Sequence, residues 1–153
     1  MSKIRVGVLR GGPSVEYDVS LKTGQSVLKH LPEKYQGLEI FIDKKGIWHR
    51  DGLIVKPEEV FKHVDVIFNA LHGEYGEDGT VQHLMDQFAV KYTGSKSLAS
   101  AIGMNKILTK NILFISFAYT DSTIYNIDFS LLLIEGVGND YFSSLWCVAY
   151  GVF

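Results

Sequence analysis

The sequence predicts an α/β fold, with a small, mostly parallel sheet covered by helices on both faces in three layers. Three observations carry that expectation. Short apolar runs at residues 4–9 (IRVGVL), 38–42 (LEIFI) and 65–71 (DVIFNAL) have the length and branching of buried strands. Stretches with apolar residues at helical spacing alternate with them. Glycine clusters at Gly11-Gly12-Pro13 and at positions 73, 76 and 79 mark the junctions.

The elements follow in order. After the first strand, Val19, Val27, Leu28 and Leu31 recur at roughly helical spacing until Pro32 stops the helix. Ser14 or Ser20 is placed to cap its start, because a serine hydroxyl satisfies a free backbone N–H there. Past the strand at 38–42, Lys44-Lys45-Gly46 turns the chain into Ile47-Trp48-His49, and Asp51-Gly52 turns it again. Pro57 opens a short helix reaching Lys62. The third apolar strand then runs into the loop HGEYGEDGT at 72–80. Val81, Leu84, Met85 and Phe88 form the buried stripe of the next helix. Residues 90–93 read as a brief strand, Gly94-Ser95 as a turn, and Ser97 to about Ile112 as one helix. Beyond it, residues 111–119 (NILFISFAY) and 129–135 (FSLLLIE) read as strands.

Composition bounds the function. A chain of 153 residues makes one domain, or one domain plus a remnant, and 46% hydrophobic residues can build a core. A net charge of −2 argues against a nucleic-acid footprint or a basic membrane patch. No apolar run approaches the ~18 residues of a membrane span. The lone Cys147 excludes an intrachain disulfide and a multi-cysteine metal site, and its apolar setting argues against a reactive thiolate. The apolar stretch after Lys3 and Arg5 is broken by Arg10, too early for a signal peptide, so a cytoplasmic location is expected. One break matters more than the totals. All 15 Lys and Arg fall between Lys3 and Lys110, whereas residues 111–153 hold four of the 17 acids and ten aromatics. The expected division is therefore a domain at 1–112 and a divergent, aromatic-rich tail at 113–153.

The residues that could do chemistry cluster at the predicted strand ends. In an open α/β sheet, ligands sit beyond the carboxyl ends of the strands. His72, at the end of the third apolar strand and before three glycines, is a ligand-facing candidate; the alternative is an incidental histidine in a solvated turn. The first glycine loop matches neither a phosphate loop nor a dinucleotide fingerprint, yet it presents a helix N-terminus at the same rim. Glu16 there either complements the helix dipole or binds a substrate ammonium; Asp18 fits the dipole role. Glu77 and Asp78 suit capping or turn closure better than a metal, which needs more convergent oxygens.

Three blocks, GGPSVEYDVSLKTGQSVLKHL, FNALHGEYGEDGTVQHLMDQF and YTGSKSLASAIGMNKILTK, together resemble the N-terminal domain of D-alanine–D-alanine ligases over residues 4–110. The resemblance implies a Rossmann-like domain preceding an ATP-grasp, in a cytoplasmic, ATP-dependent enzyme that joins two D-alanines through an acyl phosphate for peptidoglycan. It implies that Glu16 holds the ammonium of the first D-alanine, with Val19 near its methyl group. It implies that His72 lies close to that substrate's carboxylate, orienting it or assisting proton transfer, and that Lys106 reaches toward ATP phosphates. D-alanine is then the partner, and a homodimer through this domain is a further implication. In the family, the ATP-grasp, the Mg²⁺ ligands and the transition-state arginine lie in later domains, and residues 111–153 do not resemble them. Mg²⁺ ligands are therefore expected to be absent here, and this chain alone is expected to be inactive. Two other classes stay open: a non-catalytic module that binds a small amino acid or a ligase, and a gene remnant with an out-of-frame tail.

Overall fold

The computed structural model describes residues 2–120. The chain divides into two compact units, Met1–Leu113 and Phe114–Phe153, and the sheet and candidate site belong to the first. Five strands form one sheet: β1 (Ile4–Gly11), β2 (Tyr35–Ile42), β3 (Trp48–Arg50), β4 (Leu53–Ile54) and β5 (Val66–Asn69), in the order β4-β3-β2-β1-β5. β1 pairs in parallel with β2 and β5, while β3 and β4 are added antiparallel. The predicted mostly parallel α/β sheet is what the chain forms.

Both faces of the sheet are covered, because alternate residues of β1 serve different layers. Val6 and Val8 pack with Val27, Leu28 and Leu31 of α1 (Tyr17–His30). Leu9 joins Ile40, Ile42 and Ile67 on the other face, under Val60 and Phe61 of α2 (Pro57–Phe61) and Val81 and Met85 of α3 (Thr80–Gln87). Leu9, Ile40, Ile42 and Ile67 are fully enclosed. Each stabilises the fold by about 1.5–3 kcal/mol relative to exposure.

The turns have visible causes. The Asp43 carboxylate accepts hydrogen bonds from the backbone N–H of Lys45 (2.8 Å) and Ile47 (2.9 Å), closing the β2–β3 connection. Asp51 and Gly52 both have positive φ (53° and 79°), the geometry that matches a two-residue hairpin loop to strand twist. Leu31 ends α1 in an extended conformation, as the residue before Pro32 is sterically pushed to do.

Several expectations need correction. Residues 90–93 form no strand; a single parallel bridge joins Tyr92 to Ile67. The predicted helix from Ser97 to Ile112 is two helices, α4 (Ser97–Met104) and α5 (Lys106–Thr120). Asn105 separates them with extended backbone, and its side-chain oxygen accepts the Leu108 N–H at 3.0 Å, so it caps the second helix. Residues 111–119 continue α5 and are not a strand. An apolar run of that length does not distinguish the two states by periodicity. The strand expected at 129–135 lies outside the described residues. Neither Ser14 nor Ser20 is the residue that caps α1. Glu16 holds that position without a side-chain hydrogen bond to the helix.

Candidate functional site

β2 and β5 leave β1 on opposite sides, so the strand order reverses at β1. This is the switch point where an open sheet leaves a crevice beyond its carboxyl ends. Two loops border it: residues 12–16 after β1 and residues 70–79 after β5.

Ser20 ties those loops to α1. Its buried hydroxyl accepts the Gly11 N–H at 2.8 Å and donates to the Ala70 carbonyl at 2.8 Å. One side chain thus satisfies the backbone at the ends of two neighbouring strands. The sequence marks Ser20 only as a possible cap, since contacts to residues nine and fifty positions away leave no local pattern.

The loop after β5 is held from within. Asn69 Nδ2 and Gln82 Nε2 both donate to the Gly76 carbonyl, at 2.9 and 2.7 Å. Asp78 accepts the N–H of Tyr75 and of Thr80, each at 2.9 Å. Burial works against the Asp78 charge, but these backbone donors outweigh it and hold its pKa below the ordinary carboxylate value. Burial pushes the Tyr75 hydroxyl pKa up. That hydroxyl also accepts from Trp48 Nε1 at 3.1 Å, linking the loop to β3.

The two loops touch at Gly73, whose φ is 70°. A Cβ there would lie 2.5 Å from Ser14 Oγ and 3.5 Å from Glu16 Oε2. Glu16 therefore stands directly against the residue that follows His72. Glu16, Val19 and Thr23 occupy one stripe of α1 by their i, i+3, i+7 spacing. Nε2 of His72 lies 3.0 Å from Thr23 Oγ1, and Thr23 Oγ1 donates to the Val19 carbonyl at 3.1 Å. Nδ1 of His72 faces Glu77 Oε1 at 3.6 Å, while Glu77 Oε2 accepts the Gly73 N–H at 3.0 Å. Val19, on the same stripe of α1, is 53% exposed.

Three of the four residues singled out from sequence, Glu16, Val19 and His72, thus meet at one crevice. The fourth does not join them. Lys106 is the exposed first residue of α5, and no hydrogen bond or ion pair among the described residues links it to the group. No three His, Cys, Asp or Glu side chains converge as a metal site among the described residues. A separate concavity of about 610 Å³ is lined by Arg10, Gln25, Glu39 and His49. Its Arg10 is already committed to the Glu39 carboxylate and the Leu21 carbonyl.

The sheet order and the two loops at its switch point define a small, mostly parallel α/β domain. The sequence family described as D-ala D-ala ligase N-terminus matches residues 5–59 and 53–95. The chain belongs to that family. It is 40% identical over 111 residues to the D-alanine–D-alanine ligase of Solibacter usitatus, covering 72% of this chain and 34% of that one. It is 38% identical over 145 residues to the ligase of Clostridium botulinum, covering 91% of this chain and 45% of that one. The fold superimposes on a Bacillus anthracis D-alanine–D-alanine ligase solved with ATP, with a TM-score of 0.64 and 36% identity, over 74% of this chain and 36% of that one. The chain thus spans between about a third and a half of the length of these relatives. Coverage of 91% requires the Clostridium alignment to run past residue 112.

Proposed function

We propose that residues 1–112 form the domain that binds the first D-alanine in ATP-dependent D-alanyl–D-alanine synthesis, a cytoplasmic step of peptidoglycan assembly. The observation that carries this reading is the Glu16–Val19–His72 crevice, because its three chemistries match the three parts of the ligand. The Glu16 carboxylate suits the ammonium through a charge-assisted hydrogen bond. Exposed Val19 suits the methyl group, and the His72 imidazole suits the carboxylate as a hydrogen-bonding partner. The Bacillus relative's complex with ATP supports a nucleotide as the second ligand class. Lys106 would meet its phosphates as a compact point charge. When bound, ATP supplies the phosphoryl group that activates one D-alanine carboxylate. The described residues do not fit a Mg²⁺ site, since no three acidic or imidazole groups converge.

Residues 111–153 contain no Lys or Arg, so they offer no cationic clamp for a transferred phosphoryl group. The chain by itself is therefore a binding domain without turnover. The reach of the Clostridium alignment past residue 112 supports reading residues 113–153 as family sequence and weighs against an out-of-frame tail. Exposed Leu98 on α4 and Ile107 on α5 favour a second reading, association with another copy of this chain or with a ligase. Isothermal titration of D-alanine into the full chain tests the principal reading. Heat that disappears in Glu16→Ala is the expected result. No heat in the folded parent chain would overturn binding by this domain alone.

A further inference from the structure

We infer that Thr23 is a positioning residue for His72, fixing the imidazole proton on Nε2 and leaving Nδ1 as the nitrogen that exchanges a proton. The inference rests on the reading of His72 as a ligand-facing group and adds a residue to that site. A threonine hydroxyl has one hydrogen and two acceptor lone pairs. The Thr23 hydrogen is directed to the Val19 carbonyl, one helical turn back, at 3.1 Å. With the hydrogen on that carbonyl, only lone pairs remain for Nε2 of His72 at 3.0 Å, which makes Nε2 the donor in this arrangement. The hydrogen bond at one ring nitrogen sets the state of the other.

Nδ1 is consequently bare in the neutral ring, 3.6 Å from the Glu77 carboxylate. That separation is too long for a hydrogen bond, so no partner on that side fixes a hydrogen on Nδ1. Glu77 is itself held by the Gly73 N–H at 3.0 Å, so the negative charge does not swing away. The two partners face different nitrogens: Thr23 selects the tautomer, and Glu77 lies on the Nδ1 side. Proton exchange at His72 then occurs on the Glu77 side of the ring, where the loop after β5 meets the crevice. The competing arrangement places hydrogen on Nδ1 and turns the Thr23 hydroxyl toward Nε2. It would take the hydroxyl away from the Val19 carbonyl for a contact to Glu77 at a poor distance.

Two-bond proton–nitrogen correlation spectra of the ¹⁵N-labelled full chain report the tautomer directly, near pH 8.5 where an ordinary imidazole is neutral. The His72 ring is assigned by its absence in His72→Gln. The expected result is Nε2–H in the parent chain, a shift of the tautomer ratio toward Nδ1–H by roughly fivefold in Thr23→Val, and recovery in Thr23→Ser. Nδ1–H in the parent chain, or an unchanged ratio in folded Thr23→Val, would overturn the inference. Should Thr23→Val not fold, the parent spectrum and Thr23→Ser decide, because loss of Nε2–H in Thr23→Ser is equally fatal. Titration with D-alanine separates this inference from the functional reading. A dissociation constant raised roughly fivefold in Thr23→Val supports positioning for binding, and an unchanged constant contradicts it. Absence of D-alanine binding in the parent chain overturns the substrate reading, while the tautomer ratio still decides the role of Thr23.

Discussion

Gly73 and Ser20 show how little tolerance this crevice has at single positions. Gly73 combines a φ of 70° with a Ser14 hydroxyl that would stand 2.5 Å from any Cβ. Gly73→Ala should cost about 1–3 kcal/mol through backbone strain and the forced parting of the two loops. Urea denaturation measures the loss, and D-alanine titration should weaken alongside it. Ser20→Ala removes the partner of both the Gly11 N–H and the Ala70 carbonyl. Each buried group left unsatisfied costs about 1–3 kcal/mol, so a stability loss of about 2 kcal/mol or more is expected in the same assay. Ser20→Ala leaving the denaturation midpoint in place would mean that water replaces the hydroxyl. At this scale the sequence is informative about chemistry and silent about support. Glu16 and His72 are legible because an acid and a histidine sit beside glycine-rich strand ends. Thr23 and Ser20 are not, because their partners are 49 and 50 residues away.

Elements were legible where one physical cause dominates. β1, β2 and β5 announce themselves as apolar β-branched runs, and Pro32 and Pro57 bound helices by restricting φ. The failures come where two causes compete. Asn105 lies in a stretch of otherwise helical character, yet its short amide captures the Leu108 N–H and starts a new helix. Thr109 reinforces the break by donating to the Ile102 carbonyl at 2.6 Å. Asn105→Ala should therefore destabilise α5 by about 1 kcal/mol, the usual worth of an N-cap. Backbone amide shifts over residues 103–109 would register the change, and unchanged shifts would contradict the capping role. The run at 90–93 fails differently. Its apolar pattern is real, but Tyr92 is committed elsewhere, its hydroxyl donating to Asp86 at 2.8 Å. Burial and the Asp86 carboxylate push the Tyr92 pKa up to about 12. Asp86 also accepts from Ser97 at 2.9 Å, fastening the start of α4 to α3.

At the scale of the whole molecule, the parallel core is clasped at the edge opposite the crevice. Arg5 at the start of β1 holds Asp65 just before β5, with Nη2 donating to Oδ1 and the backbone N–H to Oδ2, both at 2.8 Å. The Arg5 guanidinium and N–H lower the Asp65 pKa to about 2, against an ordinary 3.8. A depressed carboxylate stabilises the fold above its unfolded pKa and loses that contribution as pH falls through the folded one. The contribution of Asp65 is thus complete above about pH 4 and disappears toward pH 2. Asp65→Asn should flatten the stability-against-pH curve across that window, and a curve of unchanged slope would refute the assignment. Salt should weaken the effect, because both side chains are partly exposed.

The hydroxyl of Ser20 carries a consequence for time as well as for energy. The Gly11 amide proton lies at the rim of the candidate crevice, where exchange with solvent deuterium is ordinarily quick. Its acceptor, however, is a fully buried oxygen fastened to a second strand. That proton is released when the Ser20 contact joining β1, α1 and the end of β5 opens, so its exchange rate reports how often that junction opens. Slowing of that one amide on adding D-alanine would measure how far D-alanine holds that junction closed.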